Sequence, residues 1–439
     1  MLKIVKFGGS SLSSGENFRK VRDIVLADPA RRVVVVSAPG KRYKDDNKVT
    51  DLLYICHAHI QYKVAYDDIW NNIAKRYLDI AACCGLSDNI GTWLAETRAG
   101  MNQKSSVDDI VSRGEYLNAR LMAEYLGYDF VDAAEWLFFR YDGTVDYEKT
   151  YAALRELEKI HKNMVLPGFY GVLPDKKIHV FSRGGSDVTG AIAAAALSAD
   201  CYENWTDVSG ILMADPKIVE NPKPIRRITF SELRELSYMG AEVLHEETVF
   251  PVRQANIPLY IKNTQAPEAE GTLIMESFAD DSEEERRRFI TGITGKKHYS
   301  IITVNKNRMT DDISFIRRVL ELTEKYRLHV EHIPSSVDSF SLVIATEELT
   351  YVLHALMADI QRECAPDSVK VCDGVSLVAV VGRRMACNTG VSGKIFAALG
   401  TRGINIRMIV QGSEEINIIV GVMDADFGDT IRTLYESFT

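Results

Sequence analysis

The sequence "VKFGGSSL", residues 5–12, joins the end of an apolar run to two glycines and two serines. Gly8 and Gly9 lack a Cβ, so the backbone N–H groups of this turn can approach an anion closely. Lys6 lies near the end of the apolar run, where its ammonium group can reach the same place, and Ser10 adds a hydroxyl donor. These features fit a phosphate-binding turn and an ordinary strand-to-helix turn with a partly buried lysine about equally well.

Outward from this turn, short apolar runs alternate with longer helical patterns up to about residue 278. The runs "KIVKF" (3–7) and "RRVVVVSAPG" (31–40) contain consecutive β-branched residues, which is typical of strands buried on both faces. Between such runs lie helical patterns such as "DDIVSRGEYLNARLMAEYL" (108–126). This order predicts an α/β domain with a largely parallel sheet, in which ligands bind at the strand ends.

Composition and charge exclude several classes of function. A chain of 439 residues is long enough for two or three domains. The net charge is −9 and the lysines and arginines are scattered, which argues against nucleic acid as the main partner. Seven cysteines without a Cys-x-x-Cys pair argue against a disulfide framework and a zinc cluster. No apolar stretch approaches the ~18 residues of a membrane helix, so we expect a cytoplasmic protein that does not bind membranes.

The C-terminal part of the chain repeats itself. The charged segment "DDSEEERRRFITG" (280–292) is the candidate boundary before it, and a solvated helix face explains its charges better than a binding patch. Beyond it, the order strand, helix, strand, strand occurs twice, roughly 75 residues apart, which suits tandem small domains rather than a solenoid. Each unit would pack its helices against one face of a sheet.

A second candidate site is "FSRGGSDVTGAIAAAALSA", residues 181–199. Arg183 follows an apolar strand and offers a planar fork that matches a carboxylate. After two glycines, Asp187 stands at the start of an alanine-rich helix, whose N-terminus favours anionic groups. Asp187 could simply cap that helix, which is the commoner role for aspartate there. A capping aspartate alone would not require Arg183 or the glycines.

Two further stretches carry polar groups at the edges of apolar elements. In "VSRGEYLNARLMAEYL" (111–126), Glu115 falls on the edge of the apolar stripe, and a half-buried carboxylate needs a partner. That partner is either a neighbouring lysine or arginine, or the ammonium group of a substrate. In "NWTDVSGILMADPKIV" (204–219), Thr206 and Asp207 end a strand, and Lys217 is either a phosphate ligand or a surface lysine.

These four stretches, in this order and followed by a doubled C-terminal unit, resemble the aspartate kinases of the amino-acid kinase family, which carry two ACT domains. The resemblance covers essentially the whole chain, and "KVTDLL" (48–53), "GAEVLH" (240–245) and "GTRGINI" (400–406) extend it. It implies a three-layer α/β kinase fold with a largely parallel central sheet, then two ferredoxin-like α+β ACT domains. The implied domains are a catalytic domain at 1–282, a first ACT domain at 299–371, and a second ACT domain formed by 289–298 with 372–439.

The resemblance also implies a reaction. Aspartate kinases transfer the γ-phosphoryl group of ATP, bound with Mg²⁺, to the side-chain carboxylate of L-aspartate, giving 4-phospho-L-aspartate for lysine, threonine and methionine biosynthesis. A carboxylate with a pKa of about 4 is already ionised at neutral pH, so the reaction needs neutralisation of charge rather than a general base. The chain ends with the second ACT unit, so we expect a monofunctional kinase without a fused homoserine dehydrogenase.

The family's site residues carry over to matching positions of this sequence. Lys6 would stabilise the transferring phosphoryl group, and Asp187 would orient Lys6 or the substrate ammonium. Arg183 would bind the α-carboxylate of aspartate, while Thr50 and Glu115 would help to hold the amino acid. The residues expected to contact the nucleotide are Lys6, Gly8, Gly9, Ser10, Thr206, Asp207, Asp215 and Lys217.

The sequence departs from the family pattern at three positions. Many relatives have lysine where Glu242 stands, often arginine where Lys217 stands, and tyrosine where Leu212 stands. A carboxylate near phosphates would repel them, so we expect Glu242 to turn elsewhere or to act through metal or water. This departure keeps open the alternative of a catalytically weak amino-acid sensor. A sister kinase acting on acetylglutamate, glutamate or a nucleotide should lack the tandem ACT units.

The ACT pair resembles allosteric amino-acid sensors, in which copies from different subunits pack side by side. The resemblance implies a homodimer or a dimer of dimers formed through these domains, with an effector at their interface. L-lysine is the preferred effector over threonine, because Glu331 and Asp338 could hold its ammonium groups. The residues expected around it are Met309, Val330, Glu331, Ser336 and Asp338.

Overall fold

The computed structural model describes residues 1–86, 89–182, 184–241, 244, 246–279, 289–309, 312–385, 388–412 and 414–439. The chain forms two compact units. The first consists of Met1–Ile211, Pro224–Phe230 and Leu244–Phe278, and the second of Leu212–Lys223, Ser231–Val243 and Ala279–Thr439. None of the helices in the described residues is long and apolar enough to cross a membrane. The charge run 280–288, our candidate boundary, lies outside the described residues, and the predicted domain limits stay predictions.

The first unit is built on an eight-stranded sheet with the order β3-β4-β2-β1-β7-β9-β10-β8. All neighbouring strands run parallel except β9 and β10. The predicted α/β class with a largely parallel sheet is therefore confirmed. A separate antiparallel pair consists of β5 and β6. The strands are β1 (Lys3–Phe7), β2 (Arg31–Val36), β3 (Asp129–Phe130), β4 (Met164–Pro167), β5 (Tyr170–Val172), β6 (Ile178–Val180), β7 (Cys201–Thr206), β8 (Arg227–Thr229), β9 (Leu259–Asn263) and β10 (Thr272–Met275).

Helices cover both faces of this sheet, which gives three layers. Val5 and Phe7 of β1 join one apolar core with side chains from the helices that follow β1 and β2. Lys6 points to the opposite face because successive side chains of a strand alternate, and there it meets a later helix through Asp187. The helices are α1 (Gly15–Leu26), α2 (Val49–Gln61), α3 (Asp67–Cys84), α4 (Asn89–Gly100), α5 (Val107–Val111), α6 (Arg113–Leu126), α7 (Ala133–Trp136), α8 (Tyr147–Ile160), α9 (Gly185–Ala196) and α11 (Glu246–Gln254).

Small residues let α9 pack closely against the sheet. Residues 190–196 of this helix are all buried. A Cβ added to Gly190 would lie 2.5 Å from the phenolic oxygen of Tyr202 on β7, so only glycine fits there. The close packing brings the first turn of α9 to the carboxyl ends of β1 and β7, where the site lies.

The second unit contains a six-stranded antiparallel sheet with the order β12-β13-β11-β14-β16-β15. Its central strands β11 and β14 are 14 residues long each and run through two apolar cores. One core surrounds Phe315 and Phe340, and the other surrounds Ile395 and Leu434. The elements are α10 (Phe230–Tyr238, with residue 230 in the first unit), β11 (Gly292–Asn305), α12 (Ile313–Lys325), β12 (Val330–His332), β13 (Ser339–Ala345), α13 (Thr346–Leu349), α14 (Leu353–Asp359), a π-helix (Ile360–Cys364), β14 (Ser368–Val381), α15 (Val391–Thr401), β15 (Met408–Val410), β16 (Asn417–Met423) and α16 (Phe427–Phe438).

The order strand, helix, strand, strand occurs twice in this unit, as the sequence predicts. The first series is β11, α12, β12 and β13, and the second is β14, α15, β15 and β16. Strand β11 takes part in both halves. Its residues Gly292–Lys296 pair with Leu377–Val381 of β14, whereas Tyr299–Asn305 pair with β13 and with the start of β14. Two ferredoxin-like halves thus share one continuous sheet.

Candidate active site

Lys6 is held at the carboxyl end of β1 by two polar side chains. Lys6 as a whole is 7% exposed. Its Nζ lies 2.6 Å from Oδ1 of Asp187, in the first turn of α9. The same Nζ donates to Oδ1 of Asn204 over 3.3 Å, and Nδ2 of Asn204 donates to Oδ1 of Asp187 over 2.7 Å. The structure therefore joins two predicted residues, 181 positions apart in the sequence, in one charged group in which Lys6 is buried and Asp187 is partly exposed.

The predicted glycine turn adjoins this group. Gly8 donates its N–H to the carbonyl of Trp205, and residues 9–12 form a single 3₁₀ turn. A Cβ on Gly9 would lie 2.9 Å from the carbonyl oxygen of Ala38, so the turn packs backbone to backbone against the loop after β2. The carbonyl of Ser10 accepts hydrogen bonds from the side chains of Ser13 and Asn17. The absence of side chains at Gly8 and Gly9 leaves this backbone open to a ligand.

Glu115 is a buried carboxylate with one unused oxygen. It is 5% exposed, and its Oε1 accepts the N–H of Ala38 over 3.0 Å. Its Oε2 is buried without a hydrogen-bond partner among the described residues. Burial raises the pKa of this carboxyl to about 8. Of the two partners considered from the sequence, the first, a neighbouring lysine or arginine, is not bonded to this carboxylate among the described residues.

Thr50 is linked to the same end of the sheet because the loop after β2 is bonded to the start of its helix. It lies in the first turn of α2, and the N–H of Val49 donates to the carbonyl of Pro39 over 3.1 Å. The loop 37–40 thus contacts the glycine turn, the carboxylate of Glu115 and the start of α2 at three successive residues. Lys6, Gly8, Gly9, Ser10, Thr50, Glu115 and Asp187 are accordingly the predicted residues that the first unit arranges around this end of its sheet.

A buried arginine that the sequence did not single out supports that loop. Nη1 of Arg76 donates to the carbonyl of Gly40 over 2.7 Å, and Nη2 lies 2.9 Å from Oδ2 of Asp46. A hydrogen bond from Arg42 holds the pKa of Asp46 well below its usual range. Arg76 lies on the apolar face of α3, next to Ile73 and Tyr77. A single arginine within an apolar helical stripe does not by itself indicate which loop it supports.

The turn before α9 contains a left-handed backbone conformation, which glycine adopts without strain. Gly184 has a φ of +56°, and Asp187 donates its N–H to the carbonyl of Gly184. A Cβ on Gly168, in the loop after β4, would lie 2.5 Å from Oγ of Ser186. Arg183, expected to bind the α-carboxylate of aspartate, lies outside the described residues, and so does Glu242.

Thr206 is the last residue of β7 and Asp207 follows it, so both stand at a strand end, as predicted. The carbonyl of Thr206 accepts the N–H of Thr264, whose hydroxyl lies 2.8 Å from that of Ser11 in the glycine turn. Lys262 of β9 places its Nζ 5.3 Å from the centre of the Trp205 ring. Lys262 and Thr264 are polar residues at this sheet edge that sequence reasoning missed, because "LYIKNT" gives no recognisable motif.

Asp215 and Lys217 lie in Leu212–Lys223, which belongs to the second unit. Oδ1 of Asp215 accepts the N–H of Lys217 over 2.8 Å, which closes a turn, and the Lys217 side chain is exposed. These two predicted nucleotide contacts therefore belong to a different unit from Lys6, and their role stays a prediction.

The predicted effector residues cluster around β12 and β13 of the second unit. Glu331 has a side chain that is 4% exposed, and its Oε1 forms an ion pair with Nζ of Lys296 over 2.8 Å. The same Nζ lies 4.5 Å from the centre of the Tyr238 ring. Oδ1 of Asp338 accepts the N–H of Arg308 over 2.8 Å. The remaining predicted residues are Met309, buried in the core around Phe315, Val330 on β12, and Ser336, whose N–H donates to the carbonyl of Ser339.

The part of the chain that the structure describes holds no group of three or more His, Cys, Asp or Glu side chains arranged for a metal ion. A divalent cation that arrived with a nucleotide would therefore rely on phosphate oxygens and water for most of its ligands.

Comparison with known proteins identifies the family. A model of the amino acid kinase family matches residues 1–263, and an ACT domain model matches residues 378–438. The chain is 35% identical to aspartokinase 3 of Bacillus subtilis, with 100% of this chain and 98% of that protein covered. A crystal structure of Clostridium acetobutylicum aspartate kinase is 44% identical, with a TM-score of 0.95 and 100% of both chains covered. A crystal structure of E. coli aspartokinase III in complex with lysine and aspartate is 25% identical, with a TM-score of 0.74 and coverage of 100% of this chain and 99% of that chain. The chain belongs to the amino acid kinase family, as an enzyme of its aspartokinase group.

Proposed function

We propose that this enzyme transfers the γ-phosphoryl group of ATP to the side-chain carboxylate of L-aspartate, giving 4-phospho-L-aspartate, at the carboxyl end of β1. The observation that carries the proposal is the buried ammonium of Lys6, which is fixed by Asp187 and Asn204 beside a turn of two glycines. Two anions, the aspartate carboxylate and the ATP phosphates, must approach each other in this reaction. Their repulsion is the main obstacle, and a preorganised cation and backbone N–H groups reduce it.

Burial makes the Lys6 charge effective. The Lys6 side chain is 9% exposed, so water screens its field less than it would at an open surface. Asp187 orients the ammonium by accepting a hydrogen bond, as the resemblance to aspartate kinases implies. The aspartate carboxylate is ionised at neutral pH, so no general base is assigned.

Glu115 supports the choice of an amino acid as the acceptor. A substrate ammonium at Oε2 would give this buried oxygen the partner that it lacks among the described residues. It would also stabilise the ionised form of a carboxyl whose pKa is raised to about 8. Thr50 would contact the same amino acid, and Arg183 would bind its α-carboxylate.

The nucleotide would lie along the glycine turn and the end of β7. The N–H groups of Gly9 and Ser10 would donate to phosphate oxygens, while Gly8, whose own N–H bonds the carbonyl of Trp205, would let the phosphates approach its backbone because it has no Cβ. A Cβ at Gly9 would lie only 2.9 Å from the carbonyl oxygen of Ala38. Thr206, Asp207, Asp215 and Lys217 complete the proposed nucleotide contacts. Mg²⁺, bound with the nucleotide, would offset part of the phosphate charge.

We also propose feedback regulation by an amino acid at the ACT domains, with L-lysine as the effector. Support comes from the C. acetobutylicum relative, described as an allosteric enzyme, and from the E. coli relative, which was crystallised with lysine. Lysine would bind near Met309, Val330, Glu331, Ser336 and Asp338, and homodimers or dimers of dimers would form through these domains. Inhibition requires that lysine bind the inactive arrangement more tightly than the active one.

The test is an assay of acyl phosphate formation with ATP and Mg²⁺, trapped by hydroxylamine, in which L-aspartate is compared with L-glutamate and N-acetylglutamate. The proposal predicts product with aspartate alone, and loss of activity when millimolar lysine is added. Product with another acceptor would reject the assigned substrate. No product with any of them would favour the alternative of an amino-acid sensor, and inhibition by threonine but not by lysine would reject the effector.

A further inference from the structure

Asn204 is the one side chain that contacts both charges of the Lys6–Asp187 pair, within the residues described. It lies on β7, which runs parallel to β1 with Lys6 opposite Asn204 in the register. The residue is 4% exposed. Its Oδ1 accepts from the ammonium over 3.3 Å, and its Nδ2 donates to the carboxylate over 2.7 Å.

The chemistry of the two partners fixes the orientation of this amide. An ammonium group only donates and a carboxylate only accepts, so the reverse orientation would set donor against donor and acceptor against acceptor. The amide in turn fixes the distance between the strand and the start of α9, because it bonds to both groups at once. Asn204 thus behaves as a neutral bridge between the two charges.

The neighbouring position on β7 shows why neutrality matters. Glu203 points to the opposite face of the sheet, where its carboxylate lies 2.8 Å from Nε of Arg31 and 3.3 Å from Nζ of Lys3. On that face, the two cations are matched by two carboxylates, because Lys3 also pairs with Asp28 over 2.8 Å. On the face of Lys6, one cation faces one anion and an uncharged amide, so no second carboxylate competes with phosphate for the ammonium.

We propose that Asn204 is a positioning residue for phosphoryl transfer: it aims the ammonium of Lys6 toward the transferring phosphoryl group and keeps the pocket free of a second negative charge. Asn204 acts through Lys6 and is not assigned any contact with substrate. The inference rests on the proposed role of Lys6, and it adds a residue that the family resemblance did not mark.

Two substitutions distinguish the effect of Asn204 on the orientation of Lys6 from its effect on the charge of the pocket. Asn204→Leu keeps the size of the side chain and removes both hydrogen bonds, so we expect kcat to fall about 10- to 100-fold at every pH, with aspartate KM within a few-fold of wild type. Asn204→Asp keeps the shape and adds a carboxyl next to Asp187. Two adjacent carboxyls share a proton and raise one pKa, so the loss of kcat should be largest at high pH and should shrink as the pH falls.

The measurements are kcat, aspartate KM and melting temperature of the full-length enzyme between pH 6 and 9, with Glu203→Gln as the control. That control alters a buried polar group on the same strand, and we expect a lower melting temperature with kcat within about twofold of wild type. Kcat within twofold of wild type for both Asn204 variants would overturn the proposal. If Asn204→Leu does not fold, a pH profile of Asn204→Asp parallel to that of wild type would overturn it.

A double-variant cycle distinguishes this inference from the function it rests on. If Asn204 acts through Lys6, then Asn204→Leu should cost little further kcat in a Lys6→Ala background, because the effects of coupled residues are not additive. Fully additive losses would reject the positioning role and leave the role of Lys6 intact. Normal kcat in Lys6→Ala alone would reject the role of Lys6, and with it this inference.

Discussion

The backbone N–H of Gly40 donates a hydrogen bond to the carbonyl of Gly9 over 2.8 Å, which joins the loop after β2 to the turn after β1. A Cβ on Gly40 would lie 2.6 Å from the carbonyl carbon of Gly9, closer than real Cβ contacts allow. We therefore expect Gly40→Ala to displace the glycine turn and to destabilise the fold by about 1–3 kcal/mol. Because that turn is the proposed phosphate site, the KM for ATP should rise about tenfold or more.

Gly91→Ala is the matched control for this substitution. Gly91 lies within α4, its Cβ would meet no heavy atom within 4 Å, and alanine favours helix over glycine by up to about 1 kcal/mol. Unfolding curves of both variants measure the predicted loss of stability, and steady-state titrations with ATP measure the predicted rise in KM. An unchanged KM for ATP in Gly40→Ala would show that the contact between the two loops does not shape the nucleotide site.

The raised pKa of Glu115 predicts how the stability of the unliganded enzyme depends on pH. The carboxyl keeps its proton up to about pH 8 when folded, against 4.5 for an exposed glutamate. Between these values the folded state binds more protons than the unfolded state, so this residue makes stability fall as pH rises, by up to a few kcal/mol in total. Glu115→Gln should lose that contribution, and its stability relative to wild type should rise from pH 5 to pH 8. A difference between the two proteins that is constant over this range would contradict the assignment.

The same carboxyl predicts a proton release on substrate binding. An ammonium group next to Glu115 favours its ionised form, so at pH 7 the binding of aspartate should release close to one proton per site. Calorimetric titrations in buffers with different ionisation enthalpies measure this number. Glu115→Gln should release none through this group and bind aspartate roughly 10- to 1,000-fold more weakly. Equal proton release by the two proteins would remove Glu115 from the amino-acid site.

Local features of the active site could be predicted from the sequence. The apolar run before Gly8 and Gly9 is a buried strand, and the alanine-rich stretch after Asp187 is a buried helix. Both follow from periodicity and from the glycines, which act over a few residues. The predicted helix at 108–126 is instead two helices, α5 and α6, that meet at Ser112, whose Oγ donates to the carbonyl of Asp109.

Contacts between distant residues could not be predicted in this way. Asn204 meets Lys6 because β7 pairs with β1 in one particular register, and nothing within "YENWT" encodes that register. Arg76 and Asp46 form a buried pair through the packing of α3 on a loop, which a helical pattern does not reveal. Likewise, Ser231–Val243 precedes the regulatory sequence but belongs to the second unit, where Glu232 binds Thr291 and Arg383.

The ion pair between Lys296 and Glu331 predicts an effect on regulation. An effector ammonium that binds Oε1 of Glu331 must displace the Nζ of Lys296, which lies 2.8 Å from that oxygen. Lys296→Met should remove this competition and lower the lysine concentration for half-inhibition by about 3- to 30-fold. Lys297→Met, which alters the next residue with its Nζ over Phe427, serves as the control and should leave inhibition unchanged. Weaker inhibition in Lys296→Met would show that Lys296 supports the effector site rather than competing for it.

Steady-state kinetics of Lys6→Ala with aspartate and ATP test the central claim, that a buried cation at the end of β1 lets two anions meet. The control is Lys3→Ala, on the same strand but on the opposite face, where Lys3 pairs with Asp28 and Glu203. We predict that Lys6→Ala lowers kcat by about 100- to 10,000-fold with little change in the KM for aspartate, and that Lys3→Ala stays near wild type. A kcat for Lys6→Ala close to that of wild type would contradict the account.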